Sequence, residues 1–136
     1  MTKLYIDTCI IIDAVEGRKN EFGKSIGNPA SDLFFQATNC KYHIIISDLV
    51  LEELAGLKKL ELTKMFFKIT KKKTIRVSYS EEERKEAMIK SEQHENDALH
   101  IIIAEREKAD FIVTRNTEHF IEIGTTIPIR IPEKLI

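Results

Sequence analysis

Residues 4–15 read LYIDTCIIIDAV, an apolar run interrupted by an acid at Asp7 and a thiol at Cys9. A strand that used the whole run would bury an ionised carboxylate, at a cost of several kcal/mol unless something compensates the charge. Either the strand stops at Asp7 or a cation sits beside it. Asp13 lies six positions beyond Asp7 and is expected to be exposed at the start of a loop.

Further apolar runs bounded by turn or charge signals predict strands at 3–6, 43–46, 74–77, 111–114 and 127–131. Helical patterns fill the intervals: 30–39 around Leu33, Phe34 and Ala37, 48–70 as two helices broken near Gly56, then 80–92 and 95–109. Short Ile- and Val-rich strands alternating with helices imply an α/β fold with a mostly parallel five-stranded sheet, covered on both faces. Pro128 and Pro132 flank the last strand. Proline lacks the ladder donor, so this strand belongs at a sheet edge.

The chain has 136 residues, the size of one domain, and we read 1–136 as a single unit. Its 43% hydrophobic and 32% charged residues are those of an ordinary globular protein, with no internal repeat or low-complexity tract. Cys9 and Cys40 lack a CxxC or zinc-type His spacing and are expected as reduced thiols of a cytoplasmic protein, packed as small hydrophobes. No export signal or membrane-length apolar run is evident. The four histidines, His43, His94, His100 and His119, form no HxxxH or HxH group, so zinc is not expected. Tyr5, Tyr42 and Tyr79 are expected to pack against the sheet rather than stack on bases.

The net charge of −1 does not by itself call for a nucleic-acid partner. Its distribution is uneven, with a local +7 over 58–76 and −4 over 81–97. A lysine-rich helix face is ordinarily solvated surface.

In an open parallel sheet, ligands gather outside the carboxyl ends of the strands, where the winding reverses. Asp7 follows the first strand there, Ser47 and Asp48 the second, and Thr114, Arg115 and Asn116 the fourth. On a helix capped by Ser47, Glu53 falls roughly 80° from the centre of the apolar arc, whereas Glu52 faces solvent. Glu53 thus borders the core, where such a residue commonly pairs with a lysine. Asp97 opens the apolar stretch ALHIIIA; taken alone, Asn96 or Asp97 reads as the helix cap. Together Asp7, Glu53 and Asp97 come from three elements expected at one rim, and like charges that close repel unless neutralised. A hard divalent cation such as Mg²⁺, held by a few carboxylates and waters, is the natural remedy.

The segments YIDTCIIID (5–13), ISDLVLEELAG (46–56) and NDALHIIIAEREKADFIVTRNTEHF (96–120), in that order, resemble the PIN-domain nucleases, especially the VapC-like toxins of toxin–antitoxin pairs. The resemblance implies a three-layer α/β/α sandwich that cleaves RNA with Mg²⁺ or Mn²⁺ and leaves 5′-phosphate and 3′-hydroxyl ends. By motif, Asp7, Glu53 and Asp97 would be the catalytic acids and metal ligands. Thr8 and Thr114 would line the site, and Asn116 stands where many relatives carry a fourth Asp. Asparagine keeps an oxygen but removes a charge, so a second cation would be held less tightly; Glu95 and Glu118 are nearby acids that could substitute.

On this reading the metal would lower the pKa of a water that attacks the phosphate in line, with one carboxylate orienting it. Lys64 and Lys68, with Lys71 or Lys72, would bind RNA phosphates outside the acidic pocket. An antitoxin protein and a homodimer are the partners the resemblance suggests. A stand-alone RNA-processing nuclease and a catalytically weakened binding module of the same fold are the alternatives. A receiver-like phosphorylation domain would need an acid after the third strand, where TIRVSYS (74–80) has none.

Overall fold

The computed structural model describes residues 2–17, 27–38 and 41–136. The expected reduced thiol at Cys40 lies outside them.

The run at 4–15 divides at Asp7. Strand β1, Thr2–Ile6, ends there, and helix α1, Thr8–Glu16, begins immediately with Asp7 as its N-cap. The Asp7 carboxylate accepts the Thr8 N–H at 2.8 Å, which satisfies a backbone donor the helix would otherwise leave open. Gly17, at φ 60°, closes the helix in the left-handed region open to a residue without Cβ. A helix, not a loop, therefore follows Asp7. Ile10, Ile11 and Ile12 are all buried, so this helix shows no polar stripe from which a 3.6-residue period could be read.

Helix α2 spans Gly27–Thr38, strand β2 Tyr42–Ser47, helix α3 Asp48–Gly56, helix α4 Leu60–Thr70 and strand β3 Thr74–Val77. The break expected near Gly56 is present, with Lys58 at φ 58° in the linker. Helix α5, Glu81–Lys90, opens on a reciprocal Ser80–Glu83 capping box. Helix α6 is Glu95–Arg106, strand β4 Phe111–Val113, helix α7 Thr117–Ile123 and strand β5 Ile129–Arg130. Helix α7 was not expected; only Phe120 of its residues is buried, too little to set a period.

The five strands pair in parallel in the order β3-β2-β1-β4-β5. The short β5 lies at an edge, as its flanking prolines require. Leu4 and Ile6 of β1 face one side with Ile44, Ile46 and Val113, packed under α1, α2 and the Val50 and Leu54 side chains of α3. Tyr5, Ile45 and Ile112 face the other, under α5, α6 and α7. This two-residue alternation, apolar on both faces, makes the protein a three-layer α/β/α sandwich. Because every strand is parallel, Asp7, Ser47 and Thr114 share one rim, and winding reverses about β1. Among the described residues no helix is long and apolar enough to cross a membrane.

Two local expectations are corrected. Asp13 is only 2% exposed, and its carboxylate accepts the Arg115 Nε–H at 3.2 Å; Arg115 also forks onto Glu133 at 2.7 and 2.6 Å. A buried carboxylate is tolerable because a guanidinium compensates it. Nor does Asn96 or Asp97 cap α6: the N-cap is His94, which leaves Asp97 inside the first turn with its side chain free to reach another helix.

Candidate functional site

Asp7 is 4% exposed, at the point where β1 becomes α1. One oxygen is held by the Thr8 N–H, and the other accepts the Thr114 hydroxyl proton at 2.7 Å. Thr114, fully buried just beyond β4, also accepts the Asn116 N–H at 3.0 Å. The expected site-lining threonines thus act on the acids directly, because the Thr8 hydroxyl donates to Glu53 Oε1 at 2.7 Å.

Glu53 projects from α3 at the edge of the core, its side chain 28% exposed. Its partner is not the lysine expected for a border glutamate. His100 Nε2 lies 2.8 Å from Oε1, and the Asn96 amide donates to Oε2 at 3.4 Å. Burial alone would raise the Glu53 pKa, but the bond and charge of His100, helped by Thr8 and Asn96, hold it below the usual carboxylate value.

His100 is fully buried on α6, with Nε2 also 3.4 Å from Asp7 Oδ1. Burial lowers its pKa, yet the Glu53 hydrogen bond and the charges of Asp7, Glu53 and Asp97 outweigh that and raise it. Its Nδ1 is 2.6 Å from the Tyr5 hydroxyl, which is 2.7 Å from Ser47 Oγ. Either protonation state fits this chain: Nε2–H donates to Glu53 in both, while the Tyr5 O–H donates to Nδ1 when the ring is neutral and to Ser47 when Nδ1 carries a proton. Burial pushes the Tyr5 hydroxyl well above its ordinary range, so it stays protonated. When protonated, the form its raised pKa favours, His100 supplies a cation beside Asp7 from within the chain itself.

One ligand atom from each of Asp7, Glu53 and His100 lies within 4.8 Å of the others. Asp97 belongs to an adjoining group. It is half-buried, and its Oδ2 lies 3.2 Å from His119 Nδ1. Burial, then the charge of Asp7, raises its pKa against the opposing effects of His100 and His119. Asp97 is therefore electrostatically coupled to Asp7, although His119 holds its carboxylate.

Asn116 precedes α7, exposed, tied to the site through its backbone bond to Thr114. Of the two acids weighed as substitutes for a fourth carboxylate, Glu95 is paired with Arg84 at 3.2 Å, and Glu118 is exposed in the first turn of α7. Lys64 and Lys68 are exposed on α4, lining a groove with Glu61, Phe67 and Lys71. Lys64 pairs with Glu61 at 2.7 Å, and no hydrogen bond or ion pair among the described residues joins Lys64 or Lys68 to Asp7, Glu53 or Asp97.

Sequence reading missed His100, Ser47 as a partner of Tyr5, and the pair His94 and His119. One signal was present: a histidine inside an apolar helix needs polar partners, and His100 stands one turn after Asp97. Tyr5 does pack against the sheet, but its hydroxyl also anchors His100. Cys9 packs against the core, and burial followed by the charge of Asp7 pushes its thiol well up. Native Cys9 is therefore expected to react with iodoacetamide more than ~10-fold more slowly than in the unfolded chain, since only the thiolate is nucleophilic. Site-resolved mass spectrometry checks this, and equal rates would contradict the buried environment.

A family model described as PIN domain matches residues 4–121. Among solved structures, this chain is similar to the crystal structure of VapBC2 from Rickettsia felis bound to a DNA fragment from their promoter. The TM-score is 0.64 at 21% identity, over 95% of this chain and 98% of that one. No curated protein matches. The fold is that of the Rickettsia structure, and with the family model spanning 4–121, the chain belongs to the PIN domain family.

Proposed function

We propose that this protein is a metal-dependent endoribonuclease, the VapC-like toxin of a type II toxin–antitoxin pair, acting on RNA in the cytoplasm. The reading rests on the meeting of Asp7 and Glu53 at the strand-end rim, with Asp97 close enough for Asp7 to raise its pKa. Membership of the PIN domain family and likeness to a VapBC2 structure support it.

The donor set fits a hard divalent cation, Mg²⁺ or Mn²⁺: carboxylate oxygens from Asp7 and Glu53 come together, and Asp97 stands beside them. These three residues would hold it. When bound, such an ion supplies Lewis acidity to the phosphate and a more acidic water. Thr8 and Thr114 lock the carboxylate rotamers of Glu53 and Asp7 through their hydroxyls, so these oxygens need no reorganisation when substrate arrives. His100 holds Glu53 from beneath, and His119 orients Asp97. The exposed Asn116 amide would bond a phosphate oxygen or a water. Lys64 and Lys68 would neutralise neighbouring phosphates of the RNA.

Labelled transfer, ribosomal and messenger RNA should be cleaved by the purified chain with Mg²⁺ or Mn²⁺. Addition of a chelator should remove at least ~99% of the rate, and excess metal should restore it; chelator-insensitive cleavage would refute the proposal. Growth arrest on expression, relieved by a co-expressed small neighbouring protein, separates a toxin from a stand-alone processing enzyme.

A further inference from the structure

Beside the acidic pocket, three ligating side chains converge from two helices: His94 immediately before α6, Asp97 in its first turn, and His119 on α7. One ligand atom from each lies within 4.8 Å of the others. The imidazoles of His94 and His119 stack with centroids 4.1 Å apart at 20°, so one ring must turn before both nitrogen lone pairs meet at one ion, and His119 Nδ1 stands 3.2 Å from Asp97 Oδ2. Ligand atoms about 2.0–2.1 Å from a tetrahedral ion are roughly 3.3 Å from one another, so the His119–Asp97 pair already has the spacing of two ligands on one ion.

His94 strengthens the case. It occupies the N-cap position of α6 yet makes no side-chain cap bond, although a Ser, Thr, Asp or Asn there would stabilise the helix by about 1 kcal/mol. Its ring instead lies against His119. All three side chains are half-buried. Two imidazoles with one carboxylate suit a borderline ion, whereas Mg²⁺ takes oxygen ligands. The sequence shows no zinc-type spacing here because His94 and Asp97 are local to one another but His119 is brought in by the fold.

We propose that His94, Asp97 and His119 form a binding site for a borderline transition-metal dication of the Zn²⁺ type, sharing Asp97 with the acidic pocket. This goes beyond the nuclease reading and does not depend on it. Occupancy would draw Asp97 toward the histidines, making that acid the link between the two sites.

The test is a Zn²⁺ titration of the full chain against a chromophoric chelator, with excess Mg²⁺ present throughout. One Zn²⁺ per chain is expected for the wild type; His94→Ala and His119→Ala should each weaken it at least ~10-fold, the scale set by losing even an outer-shell partner. Asp7→Asn should retain the wild-type affinity. Co²⁺ in place of Zn²⁺ should give a visible absorption band that disappears in both histidine variants. His94→Gln and His119→Gln, with circular dichroism, serve if either alanine variant unfolds. Unaltered Zn²⁺ affinity in the histidine variants, loss of the ion in Asp7→Asn, or no site tighter than about millimolar would each overturn the proposal. A failure to cleave RNA would bear only on the nuclease reading, because the titration reads binding alone.

Discussion

Asp7→Asn should lower RNA cleavage at least ~100-fold while leaving the protein folded. Removal of a partner behind a metal ligand costs 10–100-fold, so loss of a ligand's charge sets a floor near the top of that range. The stability side separates a lost acid from a lost fold. Asparagine caps a helix about as well as aspartate, and its amide oxygen can still accept either the Thr8 N–H or the Thr114 hydroxyl now made to Asp7. Two electrostatic changes oppose one another. The variant gives up the attraction to His100 at 3.4 Å, and it relieves repulsion from Glu53 and Asp97. Glu53 keeps the shorter contact to His100, at 2.8 Å, so most of that attraction survives. The melting free energy should stay within about 1 kcal/mol of wild type. Parallel cleavage assays and thermal melts of the two proteins check both halves, and equal cleavage by Asp7→Asn would remove Asp7 from the chemistry.

What could be read from the chain was whatever local pattern controls. β1 stops at Asp7, the parallel sheet is covered on both faces, β5 with its prolines lies at an edge, Ser47 caps α3 and Glu53 borders the core; all follow from period, caps and breakers within a few residues. What escaped reading depends on partners far away in sequence. Asp13 looks like a loop acid until Arg115, 102 residues on, is folded against it. His100 looks like an oddity in an apolar helix until Glu53, 47 residues back, and Tyr5, 95 residues back, surround it. The question raised by Asp7 was whether the strand ends or a cation compensates it. The strand ends, and the buried imidazole of His100 lies between Asp7 and Glu53.

That imidazole leads to the second large effect. His100→Ala should destabilise the metal-free protein by about 3–5 kcal/mol, the cost of removing one partner from a buried ion pair, or on the order of 10 °C in melting temperature. The loss has three parts: a cavity at a fully buried site, a Tyr5 hydroxyl left with Ser47 alone, and two carboxylates deprived of the imidazole between them, with its charge when protonated. His100→Gln keeps hydrogen-bonding capacity and volume but not charge, so it should recover only part. The pH dependence isolates the charge. The folded-state pKa of His100 is raised above an unfolded value of about 6.5, so the folded state holds the proton more tightly. Its contribution is fully present below about pH 6.5 and is lost as pH rises through the folded value. Wild-type stability should therefore decline across that window, and the decline should be absent in His100→Gln. Mg²⁺ should return more stability to His100→Ala than to the wild type, because a dication there replaces the missing charge and binds only the folded chain. Denaturant titrations of the three proteins from pH 6 upward, with and without Mg²⁺, measure each term; a His100→Ala protein as stable as wild type at pH 6 would show that the buried imidazole carries no charge worth keeping.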